Sequence, residues 1–186
     1  MKRLFDFISA TVGIVLLSPV ICIIAAAIRT TDGAPIFFRQ ERVGLNGKVF
    51  NILKFRTMSN KKSNDRSQFD AGDSSRVTTI GKFLRKTKLD ELPQLFNVLL
   101  GEMSVVGPRP EVPAWVAIYP ERWKTVHQVR PGITDPASIE FRNEEEILAK
   151  SNDPEKTYAE EIQPRKLDLY ENYIQEHKFF IDLKII

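Results

Sequence analysis

Residues 8–28, ISATVGIVLLSPVICIIAAAI, form a run of 21 positions without a charged side chain. As straight helix the run is about 31 Å long, enough to cross a bilayer core. The whole chain is only 42% hydrophobic, so the average conceals two environments, this block and a charged, proline-punctuated remainder. Three readings of the block compete. A secretory signal peptide would explain Lys2, Arg3 and the small residues Ala25 to Ala27, but the block is long for such a segment, carries a central proline and is preceded by Asp6. A straight transmembrane helix is the plainest alternative.

The third reading starts from Ser18 and Pro19, which divide the block into apolar halves, Ile8 to Leu17 and Pro19 to Ile28. Each half is about 15 Å as helix, one leaflet deep. Pro19 removes a backbone donor and predicts a break, and the Ser18 hydroxyl can satisfy a carbonyl freed in hydrocarbon. A re-entrant helix that dips in and returns is then geometrically possible. Lys2 and Arg3 before the block and Arg29 after it suit both ends on the cytoplasmic side. The residues alone leave re-entry and a full span open.

At 186 residues the remainder is sized for one core. The net charge of +3 suits anionic lipid, phosphate or nucleic acid without selecting among them. The lone Cys22 excludes an intramolecular disulfide, and His127 and His177 lack zinc-site spacing. Beyond Thr30 the segments at 35–39 and 48–56 flank the turn-rich Val43-Gly-Leu-Asn-Gly47 and predict a β-hairpin. The polar stretch 59–75 reads as an exposed, mobile loop.

From Thr79 to Met103 apolar residues recur at helical spacing and predict two helices meeting near Asp90. Pro93 is tolerated only in a first turn, so Asp90 and Glu91 fall at or just before a helix N-terminus, where a carboxylate and a bound phosphate are both favoured. Proline-rich segments around Arg109 and Arg130 hold those side chains on stiff extended backbone. Near the end, Leu167, Tyr170 and Ile174 share a helical face, followed by Phe179, Phe180, Leu183 and Ile186. Core packing is preferred there over an interfacial helix.

Six segments occur in order: Lys2-Arg-Leu-Phe-Asp-Phe7; Ser18-Pro19; Leu53-Lys-Phe-Arg-Thr-Met58; Leu89-Asp-Glu-Leu-Pro-Gln-Leu-Phe-Asn-Val-Leu99; Gly101-Glu-Met-Ser-Val-Val-Gly-Pro-Arg-Pro110; and Val129-Arg-Pro-Gly-Ile-Thr134. Together they resemble the bacterial sugar transferases, the monotopic phosphoglycosyl transferases that start glycan assembly on polyprenyl phosphate. The resemblance implies an α+β protein: a re-entrant membrane helix hairpin at 1–30, broken at Ser18-Pro19, joined to a small, mainly helical catalytic domain at 31–186 with a short β-hairpin. It implies location at the bacterial inner membrane with the catalytic domain on the cytoplasmic face, Mg2+, a UDP-sugar donor and an undecaprenyl phosphate acceptor. The family's Asp-Glu pair falls on Asp90 and Glu91, the aspartate taking up the phosphosugar with release of UMP before the lipid phosphate attacks. Many relatives continue Gly-Ile-Thr-Gly-Trp-Ala-Gln where this chain reads Gly132-Ile-Thr-Asp-Pro-Ala-Ser138, which leaves the donor sugar open. A minimal catalytic form, without the extra N-terminal membrane domain of larger members, is the expectation.

Attack on a pyrophosphate drives a nucleophile towards dense negative charge, so cations must offset the repulsion. Lys54, Arg56, Arg85, Arg109 and Arg130 are the expected phosphate-binding residues, each with the alternative of being a surface charge or helix-end partner. Capping alone is the alternative for Asp90 and Glu91, which are also the expected magnesium ligands. The rival function is a non-catalytic membrane-anchored module binding anionic lipid or nucleic acid. Clustered Lys and Arg, or aromatics interleaved with basics, would mark it, and neither is present, so no nucleic-acid partner is expected. Oligomeric state is left open.

Overall fold

The computed structural model describes residues 1–59, 76–176, 182 and 185. The stretch 60–75, His177 and the apolar tail residues Phe179, Phe180, Leu183 and Ile186 lie outside them. The apolar block folds as one helix, α1 (Lys2–Thr31, 30 residues), which continues through Pro19, so the break expected at Ser18-Pro19 is not present in it. Pro19 offers no N–H to the carbonyl one turn back, that of Val15. The Ser18 hydroxyl donates to that carbonyl at 2.8 Å, so the Ser-Pro pair keeps the backbone satisfied without water. By length and composition α1 could cross a membrane.

One face of α1 is packed and the other is open. Asp6, Ala10, Ile24 and Ile28 are buried, while Leu4, Ile8, Val12, Val15, Leu16 and Ile23 are exposed, so a continuous apolar face remains uncovered by the described residues. The packed face meets α2 (Thr79–Thr87) and α3 (Gln94–Leu100). Arg3 donates to the carbonyls of Val98 and Leu99 at 2.6 and 2.8 Å, Gly13 lies against Leu95, and Ile24 and Ile28 pack with Leu84. These contacts fall in reverse order along the two stretches, so α2 and α3 run antiparallel to α1.

Each element begins or stops for a local reason. Thr78 caps α2, accepting from the Gly81 amide at 3.0 Å. Gly81 cannot carry a side chain, because a Cβ would lie 2.1 Å from the Thr57 carbonyl oxygen. Lys88 leaves α2 in a left-handed conformation, φ 58°, and Gly101 ends α3 at φ 88°.

The expected hairpin is present. β1 (Phe37–Val43) pairs antiparallel with β2 (Val49–Phe55), in register Phe38↔Lys54 and Arg42↔Phe50. A second, parallel pair of short strands joins β3 (Ser104–Val106) to β4 (Gly132–Thr134), a pairing that sequence reading did not anticipate. Pro108 and Pro131 sit just outside these strands, where they cost no ladder hydrogen bond. Asp6 is bound to this pair, accepting from the Ser104 hydroxyl at 2.9 Å and the Val105 amide at 3.0 Å. Asp6 therefore ties the start of α1 to the sheet.

The C-terminal half is helical: α4 (Pro113–Val116), α5 (Pro120–Val126), α6 (Pro136–Glu140), α7 (Glu144–Lys150), α8 (Pro154–Thr157) and α9 (Gln163–Glu176). Leu167 and Tyr170 of α9 close a core with Trp123, Val126 and Ala137, with Ile174 packed against it. The face expected to pack does so. Mainly helical α+β architecture with a long apolar N-terminal helix is thus what the chain adopts.

Candidate active site

Asp90 and Glu91 occupy a single turn of 3-10 helix, Leu89–Glu91, set between α2 and α3. The left-handed Lys88 starts the turn, and Leu92 and Pro93, both right-handed, lead from it into α3. Both carboxylates are buried, yet their surroundings are opposite.

Glu91 is saturated with cations. Its Oε1 accepts from Lys54 Nζ at 2.9 Å and from Arg109 Nη2, and its Oε2 accepts from Arg109 Nη1 at 3.3 Å. Lys54 comes from β2 and Arg109 from the proline-bounded segment after β3, so three parts of the chain meet at one side chain. Burial works to raise the Glu91 pKa, but Arg109 and Lys54 outweigh it and hold the carboxyl well below the usual carboxylate range. Asp90 is the reverse case. Its Oδ1 is buried without a hydrogen-bond partner, and burial pushes its pKa upward, aided by Glu91 and opposed by Lys54, Lys88 and Arg109.

The Arg109 segment is held in place from behind. Arg42 of β1 donates to the Pro110 carbonyl at 3.2 Å and to Glu111 Oε1 at 2.9 Å. Glu111 Oε2 accepts from the Tyr158 hydroxyl at 2.5 Å. At Gly107 and Gly132 the two proline-rich segments cross so closely that a Cβ on Gly132 would lie 2.1 Å from the Gly107 nitrogen.

Of the five cations singled out from sequence, Lys54 and Arg109 are thus brought onto the carboxylate pair. Arg56 is buried and donates to the Asp32 and Gly33 carbonyls at 2.7 and 3.0 Å, closing the C-terminal end of α1. Arg130 donates to the Gly101 carbonyl at 2.9 Å, at the end of α3. Arg85 donates to the Thr57 hydroxyl at 3.0 Å. Two cations that sequence reasoning passed over, Lys88 and Arg42, act on Asp90 and on Arg109 respectively. Strand alternation could have found Arg42, because its cross-strand partner Phe50 lies on the same hairpin face as Lys54.

Among the described residues no three His, Cys, Asp or Glu side chains converge as metal ligands. Magnesium commonly takes only one or two carboxylates, with water and substrate phosphate completing its shell. Asp90 Oδ1 fits that role as it stands. Glu91 fits only as a further ligand, with Lys54 or Arg109 giving way.

Comparison with known proteins decides what this arrangement belongs to. The family described as bacterial sugar transferase matches residues 1–186. The chain belongs to the bacterial sugar transferase family. It is 38% identical, over its full length, to a UDP-glucose:undecaprenyl-phosphate glucose-1-phosphate transferase of Klebsiella pneumoniae, spanning 38% of that relative. It is also 38% identical over its full length to an uncharacterized sugar transferase, EpsL, of Bacillus subtilis, spanning 83% of it. Over 74% of the chain and 33% of the relative it is 40% identical to a UDP-N-acetylgalactosamine-undecaprenyl-phosphate N-acetylgalactosaminephosphotransferase of Aeromonas hydrophila. This bacterial sugar transferase therefore shares its whole length with relatives named for glucose 1-phosphate transfer, and most of it with one named for an N-acetylated sugar.

Proposed function

We propose that this transferase moves a sugar 1-phosphate from a UDP-sugar to undecaprenyl phosphate, releasing UMP, through a covalent phosphosugar on Asp90. The observation that carries the reading is the division between the two carboxylates. Glu91 is fully engaged by Lys54 and Arg109, whereas Asp90 is hydrogen-bonded to neither. An engaged carboxylate is a poor nucleophile; an unpartnered one beside three cations is disposed to attack an anion. An Asp90 oxygen forms a bond to the sugar-bearing phosphorus as the bond from that phosphorus to the UMP oxygen breaks. The lipid phosphate then attacks the same phosphorus and restores Asp90. Lys54, Lys88 and Arg109 offset the charge of the pyrophosphate, and Glu91 fixes two of them. Magnesium, held by Asp90 and in part by Glu91, would supply further charge neutralisation at the donor phosphates.

α1 is assigned to the bacterial inner membrane, with both ends on the cytoplasmic face and re-entry at Ser18-Pro19. Both ends are fastened to the same water-facing body, by Arg3 and Asp6 at one end and by Arg56 at the other. A span would separate them across about 30 Å of hydrocarbon, so in a bilayer α1, continuous here, has to bend at Ser18-Pro19. Such an arrangement brings the catalytic turn to the membrane surface where a lipid phosphate lies.

The test is a panel of UDP-sugars with undecaprenyl phosphate and magnesium, followed by UMP release, and by exchange of labelled UMP into UDP-sugar without acceptor. Exchange in wild type and none in Asp90→Asn is expected. Exchange persisting in Asp90→Asn would remove the covalent role of Asp90. A wild type that turns over without any exchange would make direct attack by the lipid phosphate the mechanism.

A further inference from the structure

Gln94 is the first residue of α3 and lies one turn beyond Asp90. Its side chain is 1% exposed, and neither Oε1 nor Nε2 has a hydrogen-bond partner. A buried amide with both ends unsatisfied is costly, and an apolar side chain of the same shape would be tolerated better at such a place. Something other than packing must therefore account for it.

Leu92 (φ −51°, ψ −38°) and Pro93 (φ −61°, ψ −17°) are right-handed helical, and the Leu92 amide donates to the Leu89 carbonyl and the Leu95 amide to the Leu92 carbonyl, so one tight helical turn separates Asp90 from Gln94. Asn97 lies one turn further along α3, on the same face as Gln94. It donates to the Asn51 carbonyl at 2.8 Å and accepts from the Leu53 amide at 3.0 Å, so that face meets β2 beside Lys54. Gln94 thus sits in the seam between α3 and β2, closed to any soluble donor. Asp90 Oδ1, one turn earlier, is also buried and unpartnered, and one group is a donor where the other is an acceptor.

We infer that Gln94 is a positioning residue for Asp90: when the donor is bound its side chain turns so that Nε2 donates to Oδ1, the oxygen that does not attack, and so holds Oδ2 in line with the donor phosphorus. This rests on Asp90 being the nucleophile. When the attacking oxygen bonds to phosphorus and the bond to UMP breaks, the held oxygen becomes the carbonyl of an acyl phosphate. A neutral amide donates to both forms. A cation there would bind the carboxylate far more strongly than the carbonyl, and so favour the ground state over the transition state.

The experiment uses the full chain in lipid nanodiscs with the UDP-sugar that wild type accepts. Gln94→Met should keep or raise the melting temperature, because it removes an unsatisfied amide. Its kcat for acceptor-independent UMP exchange should fall at least about 10-fold while KM for the UDP-sugar stays within about threefold. Gln94→Leu, also apolar and without the donor, should lose kcat to a similar degree. Exchange at wild-type kcat in either variant would overturn the inference, as would a loss in both that tracks a lower melting temperature. Absence of exchange in wild type would overturn the covalent reading and this inference with it. Wild-type exchange that is lost in Asp90→Asn but intact in Gln94→Met would overturn this inference alone.

Discussion

Replacing Arg109 by lysine keeps the charge and removes the geometry. Arg109 meets Glu91 through two parallel N–H groups, one on each carboxylate oxygen, and Lys54 already occupies Oε1. An ammonium at position 109 reaches at most one oxygen and competes with Lys54 for it. At least one charge-assisted hydrogen bond is lost, about 1.5–3 kcal/mol for a partly buried group. If that loss falls wholly on the transition state, turnover drops by about 10- to 150-fold. The assay is kcat/KM for UMP release with undecaprenyl phosphate as acceptor. Arg130→Lys is the control, because Arg130 donates to the Gly101 carbonyl rather than to the carboxylates. Its cost should appear as about 0.5–1.5 kcal/mol of stability, with turnover within about threefold of wild type. Near-normal turnover in Arg109→Lys, or an equal loss in both variants, would refute the reasoning.

Ser18→Ala should destabilise the protein by about 1–3 kcal/mol, since it leaves the Val15 carbonyl bare in an apolar surrounding. In a Pro19→Ala background, where residue 19 regains an N–H, the same change should cost little; equal costs in both backgrounds, read from thermal unfolding in micelles, would contradict this. His127 is buried with Nε2 unpartnered, and burial lowers its pKa, so the unfolded chain takes up a proton more readily than the native one. Stability from this residue is present above its unfolded pKa of about 6.5 and lost as pH falls below it. Between about pH 7.5 and 5.5 wild type should lose more melting temperature than His127→Phe, and parallel curves would count against it. Single cysteines at Lys2 and Thr30, in a Cys22→Ser background, should both resist a membrane-impermeant thiol reagent in intact cells; labelling of Lys2→Cys alone would mean a full span.

Local signals were the ones legible in sequence. The hairpin around Gly44 to Gly47, the turn carrying Asp90 and Glu91 and the buried face of α9 all follow from residue type and spacing. What periodicity could not show is who meets whom across long separations. Arg56 and Arg130 stand in motifs as promising as that of Arg109, but each is drawn to carbonyls left free at a helix end, which any nearby guanidinium can satisfy. The parallel pairing of β3 with β4 was equally hidden, because three-residue strands flanked by prolines carry no usable alternation. Lys88 was passed over because nothing in its neighbours announces a left-handed turn at a lysine.

The chemistry of the site then turns on a difference between neighbours in sequence. Asp90 and Glu91 share one turn, one level of burial and the same nearby cations. They differ in length and direction. Successive residues of the turn point well apart, and the extra methylene carries the Glu91 carboxylate to the fork of Arg109 and the ammonium of Lys54, which the shorter Asp90 does not reach. One carboxylate becomes the counter-ion that fixes two cations; the other retains an unbonded oxygen in the field of those same cations. Exchanging the two residues would keep charge and composition but move the bonded carboxylate to the wrong place on the turn. The order aspartate then glutamate is therefore itself a geometric requirement of this site.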